Sequence, residues 1–336
     1  MSKFLLYLFV GISIVIAALI VVVGLGGVED SEEIVSATIP YSGYKVLYID
    51  SYHEGYEWSD SITKGVRDVF EGTGVELKIY RMDTKRNGDE EFKVQAGLDV
   101  KKIIEEFNPD VLLVSDDNAF KYLVMPYYKD VELPVVFCGL NWDASLYGAP
   151  YSNTAGMVEV ALIPQLLGHL TPYVKGDKIG YFSADTLTSR KEGEYYKKFF
   201  NLDLTEVYVK TLDEWKTEFV NIQEDVDILI IGNNAGIDEW DDDEMKSFSE
   251  ENVAVPVGAI DYWMTFYSLI GFVKVPEEQG EWSAKAALRI LDGESPSDVG
   301  VVENKKGNII LNIKHADKLG IEFDSSLLKV AETVYS

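Results

Sequence analysis

Short apolar runs alternate with amphipathic segments from residue 44 onward. The first four runs are Lys45–Asp50, Val75–Met82, Asp110–Ser115 and Leu133–Gly139. Continuous Val, Leu and Ile positions predict strands buried on both faces, and hence a parallel sheet between helix layers. Helical spacing predicts the intervening helices, at Trp58–Phe70, Glu90–Phe107 and Ala119–Tyr128. Strands separated by helices are typical of repeated βαβ units.

The same pattern restarts in the second half of the chain. Its predicted strands are Lys178–Phe182, Thr205–Val209, Asp227–Ile231 and Val253–Gly258. Its predicted helices lie at Pro164–Leu170, Ser189–Phe200, Asp213–Ile222 and Asp241–Glu250. Two successive α/β sets, joined near Asn141–Gly156, predict two similarly built lobes.

The last seventy residues add strands and helices to both lobes. We expect Ser268–Val273 to return to the first sheet, followed by a helix over Glu277–Leu291. Ile309–Asn312 and the helix His315–Lys318 are expected to return to the second. The predicted fold is therefore α/β, with two doubly wound parallel-sheet lobes joined by a hinge that the chain crosses several times. The predicted boundaries are 44–140 plus about 262–300 for lobe 1, and 141–261 plus about 301–336 for lobe 2.

An uncharged segment precedes the lobes, from Phe4 to Val28. About twenty such residues are enough to cross the hydrocarbon core of a bilayer as a helix. Lys3 precedes the segment and Glu29 and Asp30 follow it, which predicts an N-terminus inside the cell and a remainder outside. Residues 1–28 are predicted to be a retained signal anchor or a cleaved signal peptide, and residues 29–43 a tether. The protein is thus expected to be membrane-anchored, with its C-terminal domain extracytoplasmic.

Composition excludes several classes of function. The formal charge is −27 over 336 residues, which argues against a nucleic-acid partner because phosphates require Lys and Arg clusters. The single Cys138 cannot form an internal disulfide, and the three histidines are too scattered to predict a metal site. The sequence contains no G-x-S-x-G elbow and no P-loop. We therefore expect no cofactor, no metal and no enzymatic activity.

Several motifs carry a resemblance to a known family. They are the ending Ala286–Gly293 (AALRILDG) with Pro296 and Ala316–Gly320 (ADKLG), the opening Ser51–His53 with Trp58, and Phe137–Tyr147 (FCGLNWDASLY). These motifs, in this order and spacing, resemble those of an uncharacterised branch of the ABC-transporter substrate-binding proteins. That family includes tryptophan- and tyrosine-type members. The resemblance implies a type I periplasmic-binding fold, ligand capture between lobes that close about a hinge, and an ABC permease as partner.

Candidate ligand contacts follow from the predicted sheets. In open parallel sheets, ligands bind in the crevice beyond the carboxyl ends of the strands. In lobe 1 this rule selects Ser51, Tyr52, His53, Tyr56, Trp58, Ser115, Asp116, Asp117, Asn118, Gly139, Asn141 and Trp142. In lobe 2 it selects Ser183, Asp185, Asn233, Asn234, Asp261 and Tyr262. Aromatic faces with a few amides, hydroxyls and carboxylates are typical of a binding cleft.

Some of these residues have alternative structural roles. Trp58 could pack beneath its helix, and Ser51 could cap that helix. Asn118 and Asn233 could stabilise turns. Two acids directly after a buried strand are costly unless they are solvated or paired, so we expect Asp116 or Asp117 to hold an amino group of the ligand.

The expected function is solute binding followed by delivery to a membrane permease. A sensor module that acts with a separate signalling partner is the alternative, and an extracytoplasmic enzyme is a third. The cleft candidates are compatible with an amino acid, a nucleoside-like base, a small peptide or an amine as ligand.

Overall fold

The computed structural model describes residues 40–335. In this part of the chain, strands and helices alternate and build two separate sheets. The predicted anchor and nearly all of the predicted tether lie outside the described residues. Within residues 40–335, no helix is both long and apolar enough to cross a membrane.

The first sheet has six strands, all parallel. They are β1 (Lys45–Asp50), β2 (Glu76–Arg81), β3 (Val111–Ser115), β4 (Val135–Asn141), β5 (Thr154–Glu159) and β11 (Val301–Glu303). Their order is β2-β1-β3-β4-β5-β11. The central strands are almost completely buried, as their continuous apolar runs predict.

Helices cover both faces of the first sheet. On one face, α1 (Glu57–Phe70) packs against α9 (Pro276–Leu291). Their backbones approach closely because Gly65 has no Cβ. A Cβ at this position would lie 2.4 Å from the Glu277 carbonyl oxygen. On the other face lie α2 (Glu90–Phe107) and a continuous helical segment. That segment consists of α3 (Asp116–Ala119), a π-helical turn (Phe120–Val124) and α4 (Met125–Tyr127).

The second sheet has seven strands. They are β6 (Ile179–Ala184), β7 (Leu204–Val209), β8 (Ile228–Ile231), β9 (Val257–Ala259), β10 (Ile270–Lys274), β12 (Gly307–Asn312) and β13 (Thr333–Tyr335). Their order is β7-β6-β8-β9-β10-β12-β13, and only the β10–β12 pair is antiparallel.

Four longer helices flank the second sheet. They are α5 (Ile163–Leu170) and α6 (Leu187–Phe200) on one face, and α7 (Leu212–Ile222) and α8 (Asp242–Asn252) on the other. The remaining short helices are α10 (Pro296–Val299), α11 (Ile313–Leu319) and α12 (Ser325–Val330). Each sheet with its helices is called a lobe below.

The chain crosses between the lobes three times: after β5, after β10 and after β11. Hydrogen bonds connect the crossing segments to one another. The Val160 amide donates to Asn304 Oδ1 at 2.7 Å, and the Lys306 amide donates to Glu278 Oε2 at 2.7 Å. Asn304 is buried, so its side chain holds two crossing segments at a fixed spacing away from water.

Two predictions about the threading are wrong. The strand near residue 270 belongs to the second sheet, because Ile270 and Gly271 pair with Gly258 and Ala259 of β9. The first lobe also extends beyond residue 140, because Thr154–Glu159 forms β5 and pairs with β4. Lobe 1 therefore comprises residues 45–159 with 276–303, and lobe 2 comprises 163–274 with 307–335. The return of Ile309–Asn312 to the second sheet is confirmed.

Candidate functional site

Left-handed backbone marks the carboxyl edge of the first sheet. Asp116 follows β3 with a φ of 66°, and Trp142 follows β4 with a φ of 63°. Gly139, near the end of β4, has a φ of 71°. A left-handed conformation costs a non-glycine residue about 1–2 kcal/mol, and such residues concentrate at functional sites. This edge is where parallel sheets bind ligands.

Asp116 carries a buried carboxyl group that is only partly hydrogen-bonded. Its side chain is 3% exposed. Trp58 Nε1 donates a hydrogen bond to Oδ1 at 3.2 Å, whereas Oδ2 has no partner among the described residues. Burial raises the pKa of Asp116 well above its usual range, and the charge of Glu159 raises it further. A buried carboxyl oxygen without a donor is a candidate contact for a ligand.

Gly139 leaves room for that carboxyl group. A Cβ at this position would lie 3.1 Å from Asp116 Oδ1. The Gly139 amide donates to Gln279 Oε1 at 3.0 Å, which fixes the backbone behind Asp116. Glycine therefore meets two local requirements, the left-handed φ and the close approach of a side chain.

Asp117 is fully paired, in contrast to its neighbour. Its carboxylate accepts hydrogen bonds from the Asn141 side-chain amide at 2.5 Å and from the Tyr147 hydroxyl at 2.9 Å. Of the two acids expected to hold an amino group, only Asp116 has an oxygen without a donor.

Several predicted contacts instead hold the loops of the first lobe together. Ser51 Oγ donates to the Ser115 carbonyl oxygen at 2.6 Å and accepts from the Ala119 amide at 2.7 Å. Asn118 Nδ2 donates to Thr84 Oγ1 at 2.9 Å. Because Ser51 and Ser115 are fully buried and bonded to protein, their structural role is established by these contacts.

An aromatic cluster follows β1. Tyr52 and Tyr56 meet edge to face with ring centroids 5.4 Å apart, and His53 lies 5.9 Å from the Tyr56 ring. The Lys85 ammonium lies over both tyrosine rings, 5.2 Å from Tyr52 and 4.8 Å from Tyr56. Among residues 40–335, Lys85 forms no ion pair within 4 Å, and its contacts with these two rings are cation–π interactions.

An ion pair between Lys274 and Glu159 joins the two lobes. Lys274 ends β10 in the second lobe, and Glu159 ends β5 in the first. The Lys274 ammonium also lies 5.6 Å from the ring centroid of Trp58. Burial alone would lower its pKa, yet the pKa is raised. The ion pair with Glu159 contributes most of that rise, and the charges of Asp261 and Glu192 add to it.

The second lobe contributes two further carboxyl groups around Lys274. Asp261 follows β9, and Glu192 lies on α6, where it accepts a hydrogen bond from the Tyr181 hydroxyl at 3.0 Å. Burial raises the pKa of Asp261 and of Glu192, and the charge of Asp261 raises that of Glu192 further. Three acids, Glu159 of the first lobe and Asp261 and Glu192 of the second, thus act electrostatically on one ammonium group.

The other second-lobe candidates are engaged with protein or exposed. Ser183 Oγ lies 3.1 Å from the Asn233 carbonyl oxygen, and both residues are buried. Asp185 forms ion pairs with Arg190 at 2.6 Å and with Lys210 at 3.5 Å. Asn234 follows β8 and is half-buried, and Tyr262 is 53% exposed. Asp261 differs from these candidates because both charges of the ion pair between the lobes, Lys274 and Glu159, act on its pKa.

Trp142 contacts the second lobe directly. Its ring packs among four aromatic side chains of α6, namely Tyr195, Tyr196, Phe199 and Phe200. A groove of about 580 Å³ lies beside this contact, lined by residues of the first lobe such as Ser145, Pro150 and Val302. Asp116, Glu159, Glu192 and Asp261 do not line it, whereas Val158, the residue before Glu159, does. Trp142 therefore holds the lobes together beside the cleft.

Sequence reasoning missed Glu159, Glu192 and Lys274. Glu159 ends β5, which was not predicted as a strand, and Lys274 ends β10, whose predicted strand stopped one residue earlier at Val273; the carboxyl-edge rule would select both. Glu192 carries no such signal, because it lies inside α6 and reaches the cluster through the tertiary fold. In the described part of the chain, no cluster of His, Cys, Asp or Glu is arranged to hold a metal ion.

The chain is similar to known substrate-binding proteins. The family model described as ABC transporter substrate binding protein matches residues 57–335. No curated protein matches the sequence. A ligand-free, open structure of CD0873, a substrate binding protein with adhesive properties from Clostridium difficile, superimposes with a TM-score of 0.65. It shares 16% identity and covers 87% of this chain and 99% of its own.

Two further solved structures share the fold. An ABC domain from Streptococcus pneumonia in complex with L-Trp has a TM-score of 0.51 at 20% identity, covering 87% of this chain and 100% of its own. A periplasmic ribose ABC transporter from Conexibacter woesei has a TM-score of 0.53 at 15% identity, covering 87% and 99%. At these identities the likeness shows the two-lobed fold alone, and it does not assign the ligands of those proteins to this chain.

Proposed function

Because the chain belongs to the ABC transporter substrate-binding protein family, we propose that it captures a small solute between its lobes and delivers it to an ABC permease. The family and fold are those of solute-binding proteins and not of enzymes. Capture occurs on the outer side of the membrane, and residues 1–28 anchor the protein there.

One observation carries this proposal. Asp116 of the first lobe presents a buried carboxyl oxygen without a hydrogen-bond donor, close to an ion pair that spans both lobes. A buried polar atom of this kind costs about 1–3 kcal/mol, and a ligand donor would satisfy it. The carboxyl edge of a parallel sheet is also the expected ligand position in this architecture.

Closure about the crossing segments is the proposed mechanism. A ligand that contacts both lobes shifts the open–closed equilibrium by its difference in affinity for the two states. The three crossings permit rotation of the lobes, while Asn304 keeps two of the segments in register. The permease then recognises the closed form.

A thermal-shift screen of the full chain in mild detergent tests solute capture. A ligand that binds only the folded state raises the unfolding free energy by about 2.7 kcal/mol at a hundred times its Kd. Stabilisation by one class among amino acids, nucleosides, sugars, peptides and amines would support the proposal. No stabilisation by any class would contradict it.

Uptake measurements then separate delivery from sensing. Deleting the gene should abolish uptake of the identified solute, and restoring it should recover uptake. Uptake that is unchanged, with altered gene expression when the solute is added, would instead assign the protein to a signalling partner.

A further inference from the structure

The outer side of helix α2, in the first lobe, carries a stripe of four side chains. They are Glu91, Val94, Leu98 and Lys101. We propose that this stripe is the contact surface of a two-fold dimer, in which α2 of a second copy of the chain lies antiparallel against it. The dimer goes beyond solute capture and does not depend on it.

The spacing of the stripe is that of a helix-packing seam. Alternating steps of three and four residues place side chains along one face of an α-helix, and two helices pack along such faces. Val94 is 43% exposed and Leu98 is 36% exposed, so neither belongs to the core. The core-facing side of α2 is formed by its buried residues, Ala96, Gly97, Val100 and Ile104. The stripe is therefore a second apolar face of the same helix, directed to water.

The packing of α2 on the neighbouring helical segment holds this face in place. A Cβ at Gly97 would lie 2.2 Å from the Tyr122 carbonyl oxygen, so the two backbones are in direct contact. The Tyr122 hydroxyl donates to Glu90 Oε2 at 2.6 Å, and the Lys101 ammonium lies 5.9 Å from the centre of the Tyr127 ring. A face that is already fixed loses little conformational entropy on binding.

The neighbouring segment adds a third exposed apolar side chain to this side of the lobe. Met125 belongs to α4, three residues after Tyr122, and is 47% exposed. Two packed helical segments thus present Val94, Leu98 and Met125 to water. Groups of exposed apolar side chains with a polar rim mark interaction sites, whereas single ones are ordinary surface residues.

The order of charges along the stripe identifies the occupant. From its N-terminal end the stripe has an acid, two apolar residues and a base. An antiparallel second copy presents the same order reversed. Glu91 then lies opposite Lys101 of the partner subunit, Val94 lies opposite Leu98 of the partner subunit, and two-fold symmetry repeats both contacts. The stripe is complementary to itself, which is the requirement for a two-fold interface.

Charge also selects the register of the two helices. A two-fold axis at Leu98 would bring Glu91 against Glu105 of the partner subunit, and these like charges repel. An axis near residue 96 brings together opposite charges instead. Lys101 then leaves Glu105 of its own chain, which it contacts at 3.0 Å on an exposed helix surface. Exposed pairs of this kind contribute little to stability, so the exchange costs little.

Sedimentation velocity of the full chain in mild detergent tests the dimer. At an ionic strength of about 0.15 M, charges more than about 8 Å apart are screened, so the close contacts decide the outcome. We expect a monomer–dimer equilibrium with a Kd of about 10 μM, as a small interface predicts. A wild type that stays monomeric at about twenty times that concentration would overturn the proposal.

Charge reversal tests the proposed pairing. Glu91→Lys and Lys101→Glu should each raise the dimer Kd at least about tenfold, because each places like charges opposite each other at two symmetric positions. The double variant Glu91→Lys/Lys101→Glu restores opposite charges and should return the Kd to within about threefold of the wild type. A double variant as weak as the single ones, with its fold intact by circular dichroism, would refute the pairing.

A matched pair of leucine variants tests the apolar centre. Leu98→Glu should abolish the dimer, because it places an acid against the apolar centre of the seam. Leu328→Glu is the control, because Leu328 is similarly exposed, at 41%, but lies on α12 of the second lobe. A dimer that persists in Leu98→Glu would place the association elsewhere, for example in residues 4–28, and the proposal would be wrong.

Carbodiimide cross-linking identifies the contact directly. Residues 91 and 101 lie about 15 Å apart along one helix, so a zero-length cross-link between Glu91 and Lys101 forms only between two copies. The cross-link between Lys101 and Glu105 within one chain shows that the reagent has reacted. Mass spectrometry of mixed ¹⁴N and ¹⁵N chains should find the first cross-link in dimers. Its absence beside a strong second one would overturn the antiparallel register.

Solute binding and uptake separate the dimer from the other occupant of this face, the permease. Helix α2 packs within the core of the first lobe, so Leu98→Glu should leave solute affinity unchanged. A wild type that is monomeric, together with Leu98→Glu that binds solute but has lost uptake, would assign this face to the permease and refute the dimer. Solute capture would stand in that case.

Discussion

Trp142 of the first lobe stacks on Phe199 of the second, with ring centroids 5.7 Å apart and ring planes 17° from parallel. The Trp142 backbone is left-handed, with a φ of 63°, which is a strained conformation for a non-glycine residue. The packing of the ring against α6 accompanies this strained backbone. The lobes are therefore held by side-chain packing in addition to the three crossing segments.

Trp142→Ala should loosen the lobes without unfolding either of them. Aromatic pairs contribute about 0.5–1.5 kcal/mol beyond their burial, so we expect the open form of the ligand-free protein to gain about tenfold in population. Small-angle scattering should show a larger radius of gyration. Trp282→Ala, which removes a half-buried tryptophan inside the first lobe, is the control. Identical scattering from the wild type and Trp142→Ala would contradict the contact's role.

Gly139→Ala should impair ligand binding, whereas Gly148→Ala should not. Both glycines have a φ of 71°, so both substitutions cost about 1 kcal/mol in backbone conformation. Only at Gly139 would the added methyl contact Asp116, at 3.1 Å, compared with 3.9 Å to Tyr151 at Gly148. Urea unfolding should therefore show similar losses of stability, and calorimetry should show weakened binding in Gly139→Ala alone. Equal affinities would argue against a tight fit at Asp116.

The stability of the ligand-free protein should decrease as the pH rises, partly because of Asp116. The pKa of this carboxyl group is raised in the folded state, so the folded state holds a proton that the unfolded state releases above its own pKa. The contribution is complete below the unfolded pKa of about 3.9 and decreases by about 1.4 kcal/mol per pH unit until the folded pKa is reached.

Asp116→Asn tests that pH dependence. Asparagine tolerates left-handed backbone and does not ionise, so the variant should match the wild type near pH 4 and exceed its stability at neutral pH. Midpoints of urea unfolding, measured for both proteins between pH 4 and neutral pH, give the comparison. The groups that act electrostatically on Asp116 or respond to it are Tyr48, Asp50, Tyr52, Asp117, Cys138 and Glu159. Parallel pH profiles for both proteins would show that folding does not raise the pKa of Asp116.

Lys274→Met should destabilise the folded protein more than Glu159→Gln does. Removing the ammonium leaves Glu159, Asp261 and Glu192 without their cation, whereas removing Glu159 also relieves repulsion among the acids. We expect a difference in unfolding free energy of about 2 kcal/mol at neutral pH, which high salt should reduce. Chemical denaturation of both variants measures it. A larger loss in Glu159→Gln would place the dominant interaction elsewhere.

Most of the first sheet follows from local pattern. The predicted strand Lys45–Asp50 and the predicted helix Glu90–Phe107 are both confirmed at their residues, because buried parallel strands and long amphipathic helices carry strong periodic signals. β11 could not be predicted in this way. It has three residues, Val301–Glu303, and becomes a strand only by pairing with β5.

The candidate site was predictable to the extent that it follows strand ends. Asp116 and Asp261 were selected by that rule, and burial and the charge of Glu159 raise the pKa of both. Whether a carboxylate is paired depends on tertiary contacts. Asp185 was selected by the same rule, yet Arg190, one turn into α6, already neutralises it. Glu192 reaches the cluster from a helix face that sequence alone assigns to solvent.

The three crossings determine when either lobe can become complete during synthesis of the chain. The first sheet lacks its edge strand β11 until residue 303 has emerged, and the second lacks β12 and β13 until residues 312 and 335 have emerged. Helix α9, which covers one face of the first sheet, follows nearly the whole second lobe in the chain. Folding cannot therefore proceed lobe by lobe from the N-terminus. A polypeptide truncated before residue 276 would expose apolar faces in both lobes and would be a substrate for chaperones and proteases.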